Sequence, residues 1–135
     1  MKFIPLTGRI IYALHFLMAA PFHFSANAIG YAASQGVPMA SILVPLSGLM
    51  ALVGALSIAL GYKAKVGAWL LIAFLVPVNL MMHPFWNITD AMQQQSMMAF
   101  FMKDLSMTGA ALLIAYWGAG PVSLDARKQG QKIFA

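Results

Sequence analysis

The sequence has no cysteine and no glutamate, and its only acidic residues are Asp90, Asp104 and Asp125. Without thiols the chain makes no disulfide and offers no thiolate as nucleophile or metal ligand. Three scattered aspartates supply no carboxylate pair for acid–base catalysis. The phosphate-cradling G-x-G-x-x-G and P-loop patterns are missing, as are H-E-x-x-H and G-x-S-x-G. Charge of either sign is scarce, at 8% of 135 positions, where a soluble domain carries roughly 25%. A soluble fold of this size needs more polar surface than that, so these absences point to an integral membrane protein.

What is abundant is apolar sequence, 61% of the chain. It gathers into four runs, at 10–24, 39–60, 66–82 and 98–118. About 20 helical residues cross a bilayer core of roughly 30 Å, and the two shorter runs can borrow a flanking turn. The expected fold is an all-α integral membrane protein, one transmembrane domain over residues 1–135. It is a four-transmembrane-helix bundle with a short outer-side helix after the first span, in the uncharged stretch 25–38. A polar loop is expected over 84–97 and a basic cytoplasmic tail over 119–135.

The cations set the orientation. Lys2 and Arg9 precede the first span, Lys63 and Lys65 join the second to the third, and Arg127, Lys128 and Lys132 follow the fourth. Alternation puts these seven on one side and leaves Lys103 and Asp90 near the other. The positive-inside rule then places both termini in the cytoplasm, with Arg9, Lys63, Lys65, Arg127 and Lys128 as topology anchors. The same distribution accounts for a pI near 9.8 without a nucleic-acid partner. Residues 1–28 resemble a signal peptide ending in an Ala26-Asn27-Ala28 cleavage site, but Arg9 and His15 interrupt its apolar region, which favours a retained span.

Polar residues within the spans converge on one level. His23 ends the first span, His83 ends the third, and Asn79 lies one turn deeper on the same face as His83. Lys103 and Asp104 occupy the outer part of the fourth. Ionisable residues inside a membrane mark a functional site by default, so these five, with Trp86, form the candidate ligand-binding pocket. Lys103 and Asp104 are sequence neighbours, about 100° apart on a helix, so one is expected to snorkel to the interface. Trp86 and His83 also suit an interfacial belt. Pro21, Pro45 and Pro77 fall in the same half, and each frees a backbone carbonyl, which favours an open cavity there.

Deeper in the membrane, Tyr12 and His15 are expected to make an inter-helix hydrogen bond. Ser47, Ala51, Ala55 and Ala59, with Ala111, Ala115 and Ala119, read as close-packed helix seams. Methionines 81, 82, 97, 98 and 102 crowd His83. Thioether and imidazole together suit Cu(I), but no regular Met-x-x-Met array occurs, and gap-filling is the better reading. Copper is disfavoured and no metal site is assigned.

Arg9 ahead of Phe16, "LVGALSIALGYKAKVGAWLL" at 52–71, "HPFW" at 83–86 and "FFMKDL" at 100–105 together resemble the DoxX family of small bacterial membrane proteins. The resemblance extends over nearly the whole chain, with Ala51 where a glutamate is frequent and Asp104 where an asparagine is usual. It implies a four-helix bundle in the bacterial inner membrane. Some relatives are the small subunit of thiosulfate:quinone oxidoreductase, which makes a quinone the candidate ligand. His83 and Lys103 would hydrogen-bond its carbonyls, and Phe85, Trp86 and Phe101 would surround the ring. The chain would then be a binding or accessory subunit of a membrane redox system, with electron chemistry supplied by the cofactor and no catalytic residue assigned. Two other readings stand beside it. One is a non-enzymatic assembly or scaffold protein, held in the lipid bilayer and contacting a partner subunit or a second copy. The other is a small transporter with His15 as its midplane titratable group.

Overall fold

The computed structural model describes the backbone of residues 1–133 and the side chains of residues 1–130. Among the described residues six α-helices follow in order: α1 Ile4–Ala19, α2 Ala26–Ser34, α3 Ala40–Leu60, α4 Ala64–Met82, α5 Ala91–Trp117 and α6 Leu124–Ile133. A 3₁₀ turn, Ala20–Phe24, prolongs α1, and another, Phe85–Asn87, follows α4. No strand occurs among the described residues. The prolonged α1, α3, α4 and α5 are each long and apolar enough to cross a membrane. The all-α, four-span architecture expected from the sequence is therefore present. The short helix after the first span is α2, opened by Ser25, whose hydroxyl accepts from the Ala28 N–H at 3.2 Å.

α3 and α4 form the centre, with α1 packed on α3 and α5 packed on α4. Lipid gives helices no hydrophobic reason to associate, so close approach decides which faces meet. Gly54 and Gly67 allow that approach. A methyl on Gly54 would sit 2.8 Å from Leu71 Cδ2 and 3.0 Å from the Gly67 carbonyl oxygen. Ala51, Ala55 and Ala111 of the expected seams are buried, around Phe16, Ile58, Leu71 and Leu75. The α1–α5 edge is closed by Tyr12, whose hydroxyl donates to the Met107 carbonyl at 3.0 Å.

Two boundaries differ from the sequence expectation. α5 starts at Ala91, so half of the expected polar loop is helical. Asp90 is the cause, because its carboxylate accepts from the Gln93 N–H at 2.9 Å and satisfies one of the orphan donors of a helix start. At 27 residues, α5 is about 40 Å long, so its first turns, bearing Gln93 to Gln95, project past a bilayer core. α1 starts at Ile4 and encloses Arg9, which therefore lies within the span rather than before it.

That arginine joins the basic end of the bundle together. Only 3% of it is exposed, and its Nη2 donates to the Val122 carbonyl at 2.7 Å. α3 stops at Gly61, which takes a left-handed φ of +65°. Tyr62 N–H then returns to the Ser57 carbonyl at 3.0 Å, as in a Schellman stop. Lys63 is also left-handed, at φ +49°. This aims its N–H and that of Ala64 at one carboxylate, Asp125, at 2.8 and 3.0 Å. The Asp125 N–H answers by donating to the Gly61 carbonyl at 2.8 Å. Residues 118–126 thus lie across the α3–α4 turn, and Gly120 passes so close to α1 that a methyl there would meet Pro5 Cβ at 2.9 Å.

Candidate ligand-binding site

Asn79 and His83, one turn apart at the end of α4, both face α5. Asn79 Nδ2 donates to the Phe101 carbonyl at 3.1 Å, while its buried Oδ1 has no partner among the described residues. His83 Nε2 lies 3.3 Å from Asp104 Oδ2, and its Nδ1 lies 3.3 Å from Met97 Sδ. Lys103 Nζ lies 3.1 Å from Asp104 Oδ1. The expectation that Lys103 and Asp104 diverge is corrected by this contact. Helical geometry separates their Cβ directions, but the flexible lysine stem folds back so that its tip reaches the neighbouring carboxylate. The lysine side chain is 43% exposed and the aspartate 6%, so the buried anion is bracketed by a cation at the surface and an imidazole on the next helix. A buried carboxylate is tolerable only with such partners.

His23 stands apart from this cluster. Its Nδ1 lies 3.3 Å from the Ala19 carbonyl oxygen, and its ring meets Phe74 edge-on at 5.5 Å. Gly48 makes room for it, since a methyl there would fall 2.5 Å from His23 Cβ. His23 and His83 line the same cavity of about 410 Å³, with Tyr31 of α2, Ser47 of α3, and Phe74 and Pro77 of α4. That volume suits a small ligand, and mostly apolar walls with a few polar groups are the usual lining of such sites. The cavity runs between α3 and α4 beneath α2, and the exposed Leu43, Leu46 and Met81 at its edge belong to the surface that lipid would cover.

The six residues expected to form one pocket are therefore not gathered in a single site. His23 and His83 line the cavity, whereas Lys103 and Asp104 form the ionic cluster with His83, which both sites share, and Asn79 bonds to the Phe101 carbonyl one turn from His83. Trp86 belongs to neither. It meets Phe85 and Phe101 edge-on, at 5.2 and 5.8 Å. His15 is corrected too. It is exposed and rests edge-on against Phe16 at 5.3 Å, with no hydrogen bond among the described residues, so the inter-helix bond of that layer is made by Tyr12 alone.

A family model, the SURF4 family, matches residues 1–131. The chain belongs to the SURF4 family. Inner membrane protein YphA of Escherichia coli is 32% identical over 99 residues, 73% of this chain and 70% of that protein. Surfeit locus protein 4 homolog of Drosophila melanogaster is 30% identical over 129 residues, 95% of this chain. The match covers only 42% of the Drosophila protein. No solved structure matches. These findings overturn the DoxX resemblance. Its patches, Arg9 with Phe16, the α3–α4 turn and "HPFW", fall within the span matched as SURF4. The quinone-linked oxidoreductase role inferred from that resemblance goes with it. A membrane protein with four spans stands, and YphA is by name an inner membrane protein.

Within this SURF4-family chain, sequence reasoning missed Tyr31, Ser47 and Phe74 as site residues. Pro77 was the available signal for the cavity. A helical proline disturbs the backbone one turn earlier, at Ala73, and Ala73 and Pro77 both line the cavity. Met97, one of the methionines expected to crowd His83, is the one whose sulfur meets its ring.

Proposed function

We propose that this SURF4-family chain is a multi-pass inner-membrane protein that binds a lipid-like amphiphile. The apolar part of the ligand lies in the cavity between α3 and α4, and its polar part meets His23 and His83. The supporting observation is the position of His83, with one face on an apolar cavity of about 410 Å³ and Nε2 against buried Asp104. The distribution of the aspartates adds weight. Asp90 and Asp125 each accept backbone N–H groups at a helix start, whereas the Asp104 carboxylate meets only side chains. A carboxylate at that depth without a capping duty is the kind of intramembrane group that serves a site. The cations support an orientation with Lys2, the α3–α4 turn and α6 in the cytoplasm, which puts the cavity in the opposite half of the bilayer.

Native mass spectrometry of protein released from mild detergent tests this reading. The wild type is expected to retain a near-stoichiometric lipid-like mass. Ala73→Phe, which places a ring in the cavity, is expected to lose it while keeping the helical circular dichroism signal. A wild type that flies as the bare chain, or an adduct that Ala73→Phe leaves intact, overturns the proposal.

A further inference from the structure

At the basic end lies a second, larger cavity of about 720 Å³, bounded by the start of α4, the end of α5 and α6. Lys63, Lys65 and Lys128 line it, with Trp117 at one edge. Asp125 is the acidic side chain among its described lining residues, and both of its oxygens already face the N–H groups of Lys63 and Ala64. Lys65 Nζ gives one donor to the Tyr116 carbonyl at 2.8 Å, and an ammonium has three. Lys63 and Lys128 converge on a single aromatic ring, Tyr62, at 5.8 and 4.3 Å. Behind this wall, buried Arg9 neighbours Gly61 and Ser123. Gathered cations with so little carboxylate among them repel one another, and the arrangement is relieved by an anion.

We propose that this cavity binds the phosphate group of an anionic phospholipid, with Lys63, Lys65 and Lys128 as its donors. The chemistry shared with a free phosphate ion is the same. Two features favour the lipid. Trp117 is 70% exposed at the end of a span, and indoles settle at the headgroup level. Basic pockets between spans at that level take anionic headgroups.

The site is tested on the detergent-purified full chain by native mass spectrometry with added phosphatidylglycerol, phosphatidylcholine or inorganic phosphate. Phosphatidylglycerol is expected to bind in preference to phosphatidylcholine. Each Lys→Gln change is expected to weaken it about fivefold, and all three together on the order of a hundredfold. Arg127→Gln, next to Lys128 but outside the cavity, serves as the control and is expected to leave binding within twofold. Should the triple variant fail to fold, Lys128→Gln alone on α6 carries the comparison. Competition by inorganic phosphate alone upholds the phosphate site and assigns it to the free ion. Equal retention of the two lipids together with no phosphate binding overturns the proposal, as does an Arg127→Gln loss equal to that of Lys128→Gln, the mark of diffuse surface charge.

Discussion

The two ends of this bundle use the same scarce material differently. At the basic end a carboxylate, Asp125, is tied to backbone, glycines with positive φ reverse the chain, and a returning segment covers the α3–α4 turn. At the histidine end a carboxylate, Asp104, is tied to side chains, and prolines lie inside the spans, Pro45 in α3 and Pro77 in α4. One end is fastened by hydrogen bonds to main chain. The other leaves an apolar cavity with few polar groups on its wall. Main-chain partners fix a fold, whereas side-chain partners can be exchanged for those of a ligand. The difference in partners, more than in residue type, separates the structural aspartates from the candidate functional one.

The largest expected effect removes the frame common to both ends. Gly54→Val drives a branched side chain into Leu71 and the Gly67 carbonyl, and overpacking of this kind costs about 1–3 kcal/mol. Thermal unfolding in detergent should show the lowered midpoint, and an unchanged midpoint would contradict the close α3–α4 contact.

Next comes Asp104→Asn, which keeps the shape and removes the charge. With Lys103 partly exposed, a loss of about 1–2 kcal/mol is expected, together with loss of the lipid-like adduct. Full stability combined with full adduct would dissolve the contrast between the ends. Asp125→Ala removes a helix cap, worth about 1 kcal/mol, and should speed amide exchange at Lys63 and Ala64 while leaving the cavity ligand in place. Loss of the ligand in that variant would mean that the ends are coupled rather than separate.

Asp90→Ala is expected to matter less, about 0.5 kcal/mol, because the turns it caps project beyond the packed bundle. Faster exchange confined to the amides of Ala91 to Gln94 is the sign to look for. The smallest effect is expected from His15→Ala, within about 0.5 kcal/mol. A marked fall in stability or in ligand retention would give that exposed histidine a role the packing does not suggest.

The spans were legible because apolar length alone defines them. The α2 helix was legible because Ser25 opens an uncharged, alanine-rich stretch. The alanine seams were legible from their four-residue spacing, and Ala51, Ala55 and Ala111 are at most 1% exposed. The glycine contacts were not, since Gly54 and Gly67 approach across two helices and no spacing within one helix announces it. Arg9 read as an anchor because a cation near a span is usually wet. Its burial depends on the Val122 carbonyl, 113 residues away in sequence. The pairing of Lys103 with Asp104 was hidden by reasoning from Cβ directions, which fixes a short side chain but not the tip of a long one. His23 and His83 line one cavity, yet depth says nothing of azimuth, and the His23 ring packs on Phe74 rather than on the ionic cluster.

The clasp between Asp125 and the α3–α4 turn also has a meaning in time. Ribosomes deliver the chain from its N-terminus, so the turn enters the membrane long before its cap exists. The N–H of Lys63 waits for a carboxylate 62 residues downstream, and until then water must serve it. The hairpin of α3 and α4 is therefore inserted unfinished and is locked only when Asp125 of α6 has been made. A chain truncated before Asp125 would carry the four spans α1, α3, α4 and α5 and still present an unlatched turn.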